Sequence, residues 1–182
     1  MNAHASLEPA PLEPYGVLIA PGTLKMERLL PGPIERVWAY LTESDMRRQW
    51  LAAGDMPMKL NASFELVWRN DDLSDPPSKR PEGFSEVLRM QSRITELDPP
   101  RRLVISWGAN GSVSFELEHR DRDVLLTVIH RRLPDRAAIL MFGAGWHMHL
   151  DTLLACAKGQ NPQPFWNGWT RLKTDYDRRM PA

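Results

Sequence analysis

Cysteine is nearly missing from this chain, which holds one among its 182 residues, Cys156. An intramolecular disulfide is thereby excluded, and a cysteine-rich zinc site has no ligands to draw on. No stretch approaches the roughly 20 consecutive apolar residues that a membrane-spanning helix needs. An excess of charge of either sign is lacking too. With 23 Lys+Arg against 23 Asp+Glu, no overall field favours nucleic acid or an anionic membrane. The arginine pairs (Arg47-Arg48, Arg101-Arg102, Arg131-Arg132, Arg178-Arg179) are scattered and read as solvated surface. The opening MNAHASLEPAPLEPYG has neither a basic start nor an apolar core. It does not read as a secretory leader, and a cytoplasmic location is the simplest expectation. G-x-S-x-G, phosphate-loop, G-x-G-x-x-G and H-E-x-x-H patterns are all lacking, so no cofactor and no metal are expected.

What remains is ordinary globular material, 42% hydrophobic and 25% charged. A chain of this length buries roughly 70% of its unfolded surface and needs no covalent staple. Residues 1–15 carry three prolines and few large apolar groups, which predicts a loose arm. A strand pattern over 23–30 stops at Leu30-Pro31-Gly32-Pro33. Ile34, Val37, Trp38 and Leu41 then fall at i, i+3, i+4 and i+7, the stripe of an amphipathic helix. Ser44 opens a second, shorter helix carrying Met46 and Trp50. From residue 62 alternation takes over: Phe64, Leu66 and Trp68; Leu88, Met90, Ser92 and Ile94; Leu103, Ile105 and Trp107; Val113, Phe115 and Leu117; and a last strand over 124–131. The polar, proline-rich stretch 70–83 reads as a long surface loop. Consecutive strands with short turns make an antiparallel meander, one face of which must be covered.

The cover is a long helix after Pro134. Ile139, Phe142, Gly143, Trp146, Leu150, Leu153, Leu154 and Ala157 trace its apolar stripe. Gly143 and Gly145 suggest a kink, a close backbone approach or a later helix start. Asn161-Pro162-Gln163-Pro164 leads to a final helix with Phe165, Trp169, Leu172 and Tyr176 on one side. Residues 16–158 thus form an α+β domain, and 159–182 a helical extension that packs on its own domain or on a second subunit of a homodimer.

Three segments resemble the helix-grip fold of the START/Bet v 1-like superfamily, specifically the bacterial relatives of the C-terminal domain of the activator of Hsp90 ATPase. They are Ile34–Thr42 followed by Met46 and Trp50-Leu51, then Arg93–Leu103 completed by Trp107, and Gly145–Leu153. The resemblance covers about residues 22–158 and implies a curved antiparallel sheet wrapped around a long C-terminal helix, with two short helices after the first strand. Members bind lipids, hormones, polyketides or other apolar molecules, and some are cyclases or interaction modules. Fold alone therefore selects no function.

The residues narrow the choice. His147 and His149 are about 200° apart on a helix and cannot share one ion, so they read as a surface or rim pair. His130, in step with Val124, Leu126 and Val128, is expected at the mouth of an interior cavity. Cys156 has no activating neighbour. Large aromatics with few polar groups describe a pocket for an apolar or aromatic small molecule, of more than about 300 Å³. Its expected lining is Trp38, Trp50, Phe64, Leu66, Trp68, Met90, Ile105, Trp107, Phe115, Leu117, Val128 and His130, with Phe142, Trp146 and His147 from the long helix. Binding without catalysis is the reading. One alternative is an interaction module presenting Phe165, Trp166 and Trp169 as an exposed patch. The other is a cyclase or hydrolase, which needs an acid or base inside the cavity, and no inward strand face carries a carboxylate.

Overall fold

The structure, a computed structural model, describes residues 11–182. Seven strands and four helices follow one another as β1 (Val17–Ala20), β2 (Thr23–Pro31), α1 (Ile34–Thr42), α2 (Ser44–Arg47), β3 (Ser63–Trp68), β4 (Leu88–Asp98), β5 (Arg102–Trp107), β6 (Gly111–Arg120), β7 (Asp123–Arg131), α3 (Arg136–Ala157) and α4 (Phe165–Arg179). The sheet is antiparallel in the order β1-β2-β7-β6-β5-β4-β3. This is the helix-grip arrangement expected from the sequence, with one strand more. β1 escapes the period-two pattern because Val17 and Ile19 are both exposed, so no apolar alternation marks it.

Register explains the core. Leu24 faces His130, which faces Val113, which faces Ile105, which faces Ile94. All five are buried, so each of five strands sends one side chain to a single inward row, as the two-residue period requires. Met26, Val128, Phe115 and Leu103 form the next row. Against these rows lies α3, capped by Asp135, whose carboxylate accepts from the Ala138 N–H at 2.8 Å. The helix runs unbroken through both glycines. Gly143 marks a close approach: a Cβ there would stand 3.2 Å from the Tyr176 ring of α4.

α3 is buried on two sides, by the sheet and by α4. Phe165, Trp169, Leu172 and Tyr176 of α4 join the same core. Of the expected arm, residues 1–10 lie outside the described residues. Tyr15 departs from that expectation because it has partners to pack on: its ring meets those of His147 and Tyr176, and its hydroxyl reaches Asp175 at 3.2 Å. The stretch 70–83 is likewise more than a surface loop. It forms a 3-10 turn at Asn70–Leu73, Leu73 and Ser74 are buried, and the turn packs on α4. Ser74 Oγ and Ser78 Oγ accept from the Phe165 and Trp166 backbone N–H groups at 3.3 and 2.9 Å, satisfying donors that a helix start leaves free.

One buried cation organises the segment between α1 and β3. Arg47 is 2% exposed. Its guanidinium donates to the carbonyls of Ala52 (3.1 Å), Leu41 (3.3 Å), Thr42 (3.1 Å) and Gly54. Two of these carbonyls end α1, where the helix has no backbone donor left to offer them.

Candidate functional site

Between α3, α4 and the β3–β5 edge of the sheet, side chains leave a cavity of about 260 Å³, somewhat below the 300 Å³ expected. Trp68, Met90 and Trp107 form its sheet wall. They converge because β3 and β4 pair Leu66 with Met90, and Trp68 with Leu88, and because Trp107 closes β5. Met141, Phe142, Gly145, Trp146 and His149 of α3 form the second wall. Phe165, Trp166 and Trp169 of α4 form the third, with the 83–88 segment across the top and Leu51 and Asn70 completing the lining. The rings pack on one another: Trp68 on Trp107 and Phe84 on Trp169 edge to face at 5.4 and 4.9 Å, and Phe84 tilted against Trp166 at 5.0 Å. Leu88 and Met141 are exposed, so the cavity reaches the surface beside them.

The cavity is electrically quiet. Glu86, exposed, is the one charged side chain lining it. His149 Nδ1 lies 2.7 Å from the Trp50 carbonyl, which can only accept, so the proton sits on Nδ1. Burial lowers its pKa from 6.5 to about 4, against a smaller opposing effect of that hydrogen bond. The ring is therefore neutral at pH 7. Asn70 Oδ1 is buried with no hydrogen-bond partner.

Of the residues expected from the sequence, the structure brings Trp68, Met90, Trp107, Phe142 and Trp146 to the cavity. Trp50, Phe64, Leu66, Ile105, Phe115, Leu117 and Val128 are packed core; Trp50 Nε1 donates to the Tyr40 carbonyl at 2.8 Å. Trp38 is half-buried on α1. His130 is not at the mouth but behind the wall, 3% exposed. Its Nδ1 accepts from Trp146 Nε1 at 3.1 Å, and Phe142 and Trp107 crowd its ring at 4.7 and 5.4 Å. Burial lowers its pKa to about 4.

Nor are His147 and His149 a surface pair, since α4 and the Trp50 segment cover both. His147 turns away from the cavity, with Nδ1 3.1 Å from the Tyr176 hydroxyl and Nε2 3.4 Å from Asp151. Arg28 donates to the same carboxylate at 2.9 Å. Burial alone would raise the Asp151 pKa, but His147 and Arg28 hold it below the usual range.

Asn70, Phe84, His149, Phe165, Trp166 and Trp169 are among the lining residues that sequence reasoning misses. The one available signal is Phe84, the sole aromatic between residues 70 and 87. Phe165, Trp166 and Trp169 do not form the exposed patch expected of them in an interaction module: they are 1%, 3% and 6% exposed, held inward by α3 and Phe84.

Residues 31–158 match the family described as activator of Hsp90 ATPase homolog 1-like protein. The chain belongs to this family. A Bordetella parapertussis protein solved by NMR in solution is 35% identical, with a TM-score of 0.77 over 96% of this chain and 95% of that one. CalU16 from Micromonospora echinospora is 20% identical, with a TM-score of 0.64 over 86% of each chain. DynU16, from the dynemicin biosynthetic locus, is 18% identical, with a TM-score of 0.62 over 80% of this chain and 51% of its own. The last two show the fold alone. Functionally curated proteins give no match. The family's helix-grip core ends at the close of α3, so α4, which supplies the third cavity wall, lies beyond the matched residues. Among the described residues no helix is long and apolar enough to cross a membrane.

Proposed function

We propose that this family member binds an apolar or aromatic small molecule in the cavity between α3, α4 and the β3–β5 edge, without catalysis. The supporting observation is the lining itself: eight Trp and Phe side chains around about 260 Å³, with no lysine or arginine. Leaving apolar surface unburied forgoes roughly 25 cal/mol per Å², so an aromatic wall that packing could close but does not suits an occupant. The volume suits a molecule of two or three fused rings or a comparable chain. That DynU16 comes from a biosynthetic locus accords with a small-molecule ligand.

Catalysis has little to work with. His149 is the one titratable group in the interior of the cavity, and with a pKa of about 4 and Nδ1 tied to the backbone it is a weak general base at neutral pH.

Because five of the seven tryptophans line the cavity, intrinsic fluorescence reports occupancy directly. Titration with bicyclic aromatics, tricyclic aromatics and medium-chain alkyl compounds is expected to give saturable quenching or a blue shift for at least one class. For a ligand of about ten heavy atoms, dissociation constants of roughly 10–100 µM are expected. Silence from every class would overturn the proposal.

A further inference from the structure

An indole N–H can only donate, and inside an apolar wall it needs an acceptor. Of the five tryptophans that line the cavity, two have one. Trp146 Nε1 donates to His130 Nδ1 at 3.1 Å and Trp166 Nε1 to Asp71 at 2.7 Å. The other three, Trp68, Trp107 and Trp169, find no acceptor among the described residues. None of these three N–H groups is sealed off, because the one fully buried side-chain nitrogen or oxygen without a partner among the described residues is Asn70 Oδ1.

The surroundings locate the Trp169 N–H within the cavity. A Cβ built on Gly145 would have Trp169 Nε1 as its one neighbour, at 4.0 Å, and Gly145 and Trp169 both line the cavity. The space in front of Gly145 is therefore open, and the indole N–H stands at its edge. The ring is held in that position. It is 6% exposed, with Phe84 and Trp166 packed on it at 4.9 and 6.1 Å. Lys173, which does not line the cavity, rests its ammonium 5.4 Å from the ring centroid. Trp169 belongs to α4 and lies beyond the residues matched to the family, so this donor is an addition to the family's core.

Building on the binding function proposed above, we infer that the ligand is an uncharged aromatic molecule carrying a hydrogen-bond acceptor, such as a ketone, seated against Gly145 and read by Trp169 Nε1–H. The acceptor is what the donor lacks, and leaving a desolvated N–H unmade is costly. Gly145 gives the acceptor its room, since any side chain there would enter the same space. A carboxylate also accepts, but it would bring a negative charge into a cavity lined by no lysine or arginine, with Glu86 at its rim. Fatty acids are therefore disfavoured although the walls are apolar. A bare hydrocarbon fits the walls and leaves the N–H unpaired.

Three naphthalenes of similar size separate these cases: 2-acetylnaphthalene, 2-isopropenylnaphthalene, in which a CH₂ group replaces the carbonyl oxygen, and 2-naphthoate. Each is titrated calorimetrically against the full chain and against Trp169→Phe, which keeps an aromatic ring and removes the N–H. The substitution is expected to weaken 2-acetylnaphthalene about fivefold more than 2-isopropenylnaphthalene, the worth of one hydrogen bond. Lost packing would weaken both alike, so the ratio isolates the donor. 2-Naphthoate should bind the unaltered protein more weakly than the ketone. NMR of the unaltered protein gives a second reading that does not depend on the variant folding: the Trp169 indole proton should move downfield with 2-acetylnaphthalene and not with 2-isopropenylnaphthalene. A ratio that Trp169→Phe leaves unchanged, an indole proton that responds equally to both compounds, or tighter binding of 2-naphthoate would overturn the inference and leave the binding function standing. Failure of all three molecules to bind would instead count against the binding function itself.

Discussion

Acidification from pH 7 to pH 4 is expected to remove about 6 kcal/mol of folding stability through two histidines alone. His130 and His149 are both buried, and burial lowers each pKa from 6.5 to about 4. The sign follows from proton binding. Between pH 6.5 and about 4 the unfolded chain holds a proton on each ring and the folded chain does not, so protons favour unfolding. The contribution is fully present above 6.5, falls as pH drops, and is lost near 4. At 1.36 kcal/mol per pH unit this is about 3 kcal/mol per ring. Net stabilities of domains are only 5–15 kcal/mol, so the protein should be close to unfolding at pH 4.

The two rings carry opposite tautomers. His130 accepts through Nδ1 from Trp146, whereas His149 donates through Nδ1 to Trp50. Asparagine can imitate either arrangement without titrating. Urea denaturation from pH 7 to 4 should therefore show His130→Asn and His149→Asn each removing about half of the slope in that window. A slope unchanged in both variants would refute the assignment. Asp151, whose pKa is lowered by His147 and Arg28, acts in the opposite-charge case. Its stabilisation is present above its unfolded pKa and is lost only as pH falls through the lower folded value, below the histidine window.

The second large effect is expected at Arg47. Arg47→Met leaves the carbonyls of Leu41, Thr42, Ala52 and Gly54 without their donor. Breaking a buried charged network in this way costs about 3–5 kcal/mol, or roughly 10 °C in melting temperature for a chain of this size. Burial lowers the guanidinium pKa to about 10, which still leaves it charged at pH 7. Arg47→Lys should recover only part of the loss, because one ammonium cannot span four carbonyls. The Trp50 carbonyl that holds His149 lies within the same segment, so ligand affinity should fall with stability. A loss under 1 kcal/mol in thermal or urea denaturation of the methionine variant would contradict this account.

Much of the architecture is legible in the sequence because the sheet has one wet face. Val113, Phe115 and Leu117 alternate with polar residues, as do Phe64, Leu66 and Trp68 apart from Val67, and announce strands directly. α1 and α4 are legible for the same reason, each having an apolar and a polar side. The cavity is half legible. Alternation sends Trp68 and Trp107 inward, but it cannot say that Phe64 and Ile105 on the same faces are packed around while these two are not. That outcome depends on how α3, α4 and the 83–88 segment close around them.

The missing walls come from long-range contacts with no local signature. Phe84 sits in a polar segment, and its burial depends on Trp166 and Trp169 more than 80 residues on. A single buried side on α3 would leave His149 at the surface, and α4 supplies the second side that covers it. The 200° between His147 and His149 does hold, and the two rings meet different partners. What the spacing cannot tell is which of them faces the cavity.

Gly145 offers the most direct test of the cavity as a binding site. It lines the wall from the middle of α3, and a Cβ there would meet only Trp169 Nε1, at 4.0 Å. Gly145→Leu should therefore place its side chain into the cavity while favouring the helix by up to about 1 kcal/mol. Calorimetric titration of the unaltered and Gly145→Leu proteins with an aromatic compound that binds the former is predicted to show at least tenfold weaker binding in the variant, at an equal or higher melting temperature. Undiminished affinity in a folded Gly145→Leu protein would place the ligand elsewhere and contradict the account.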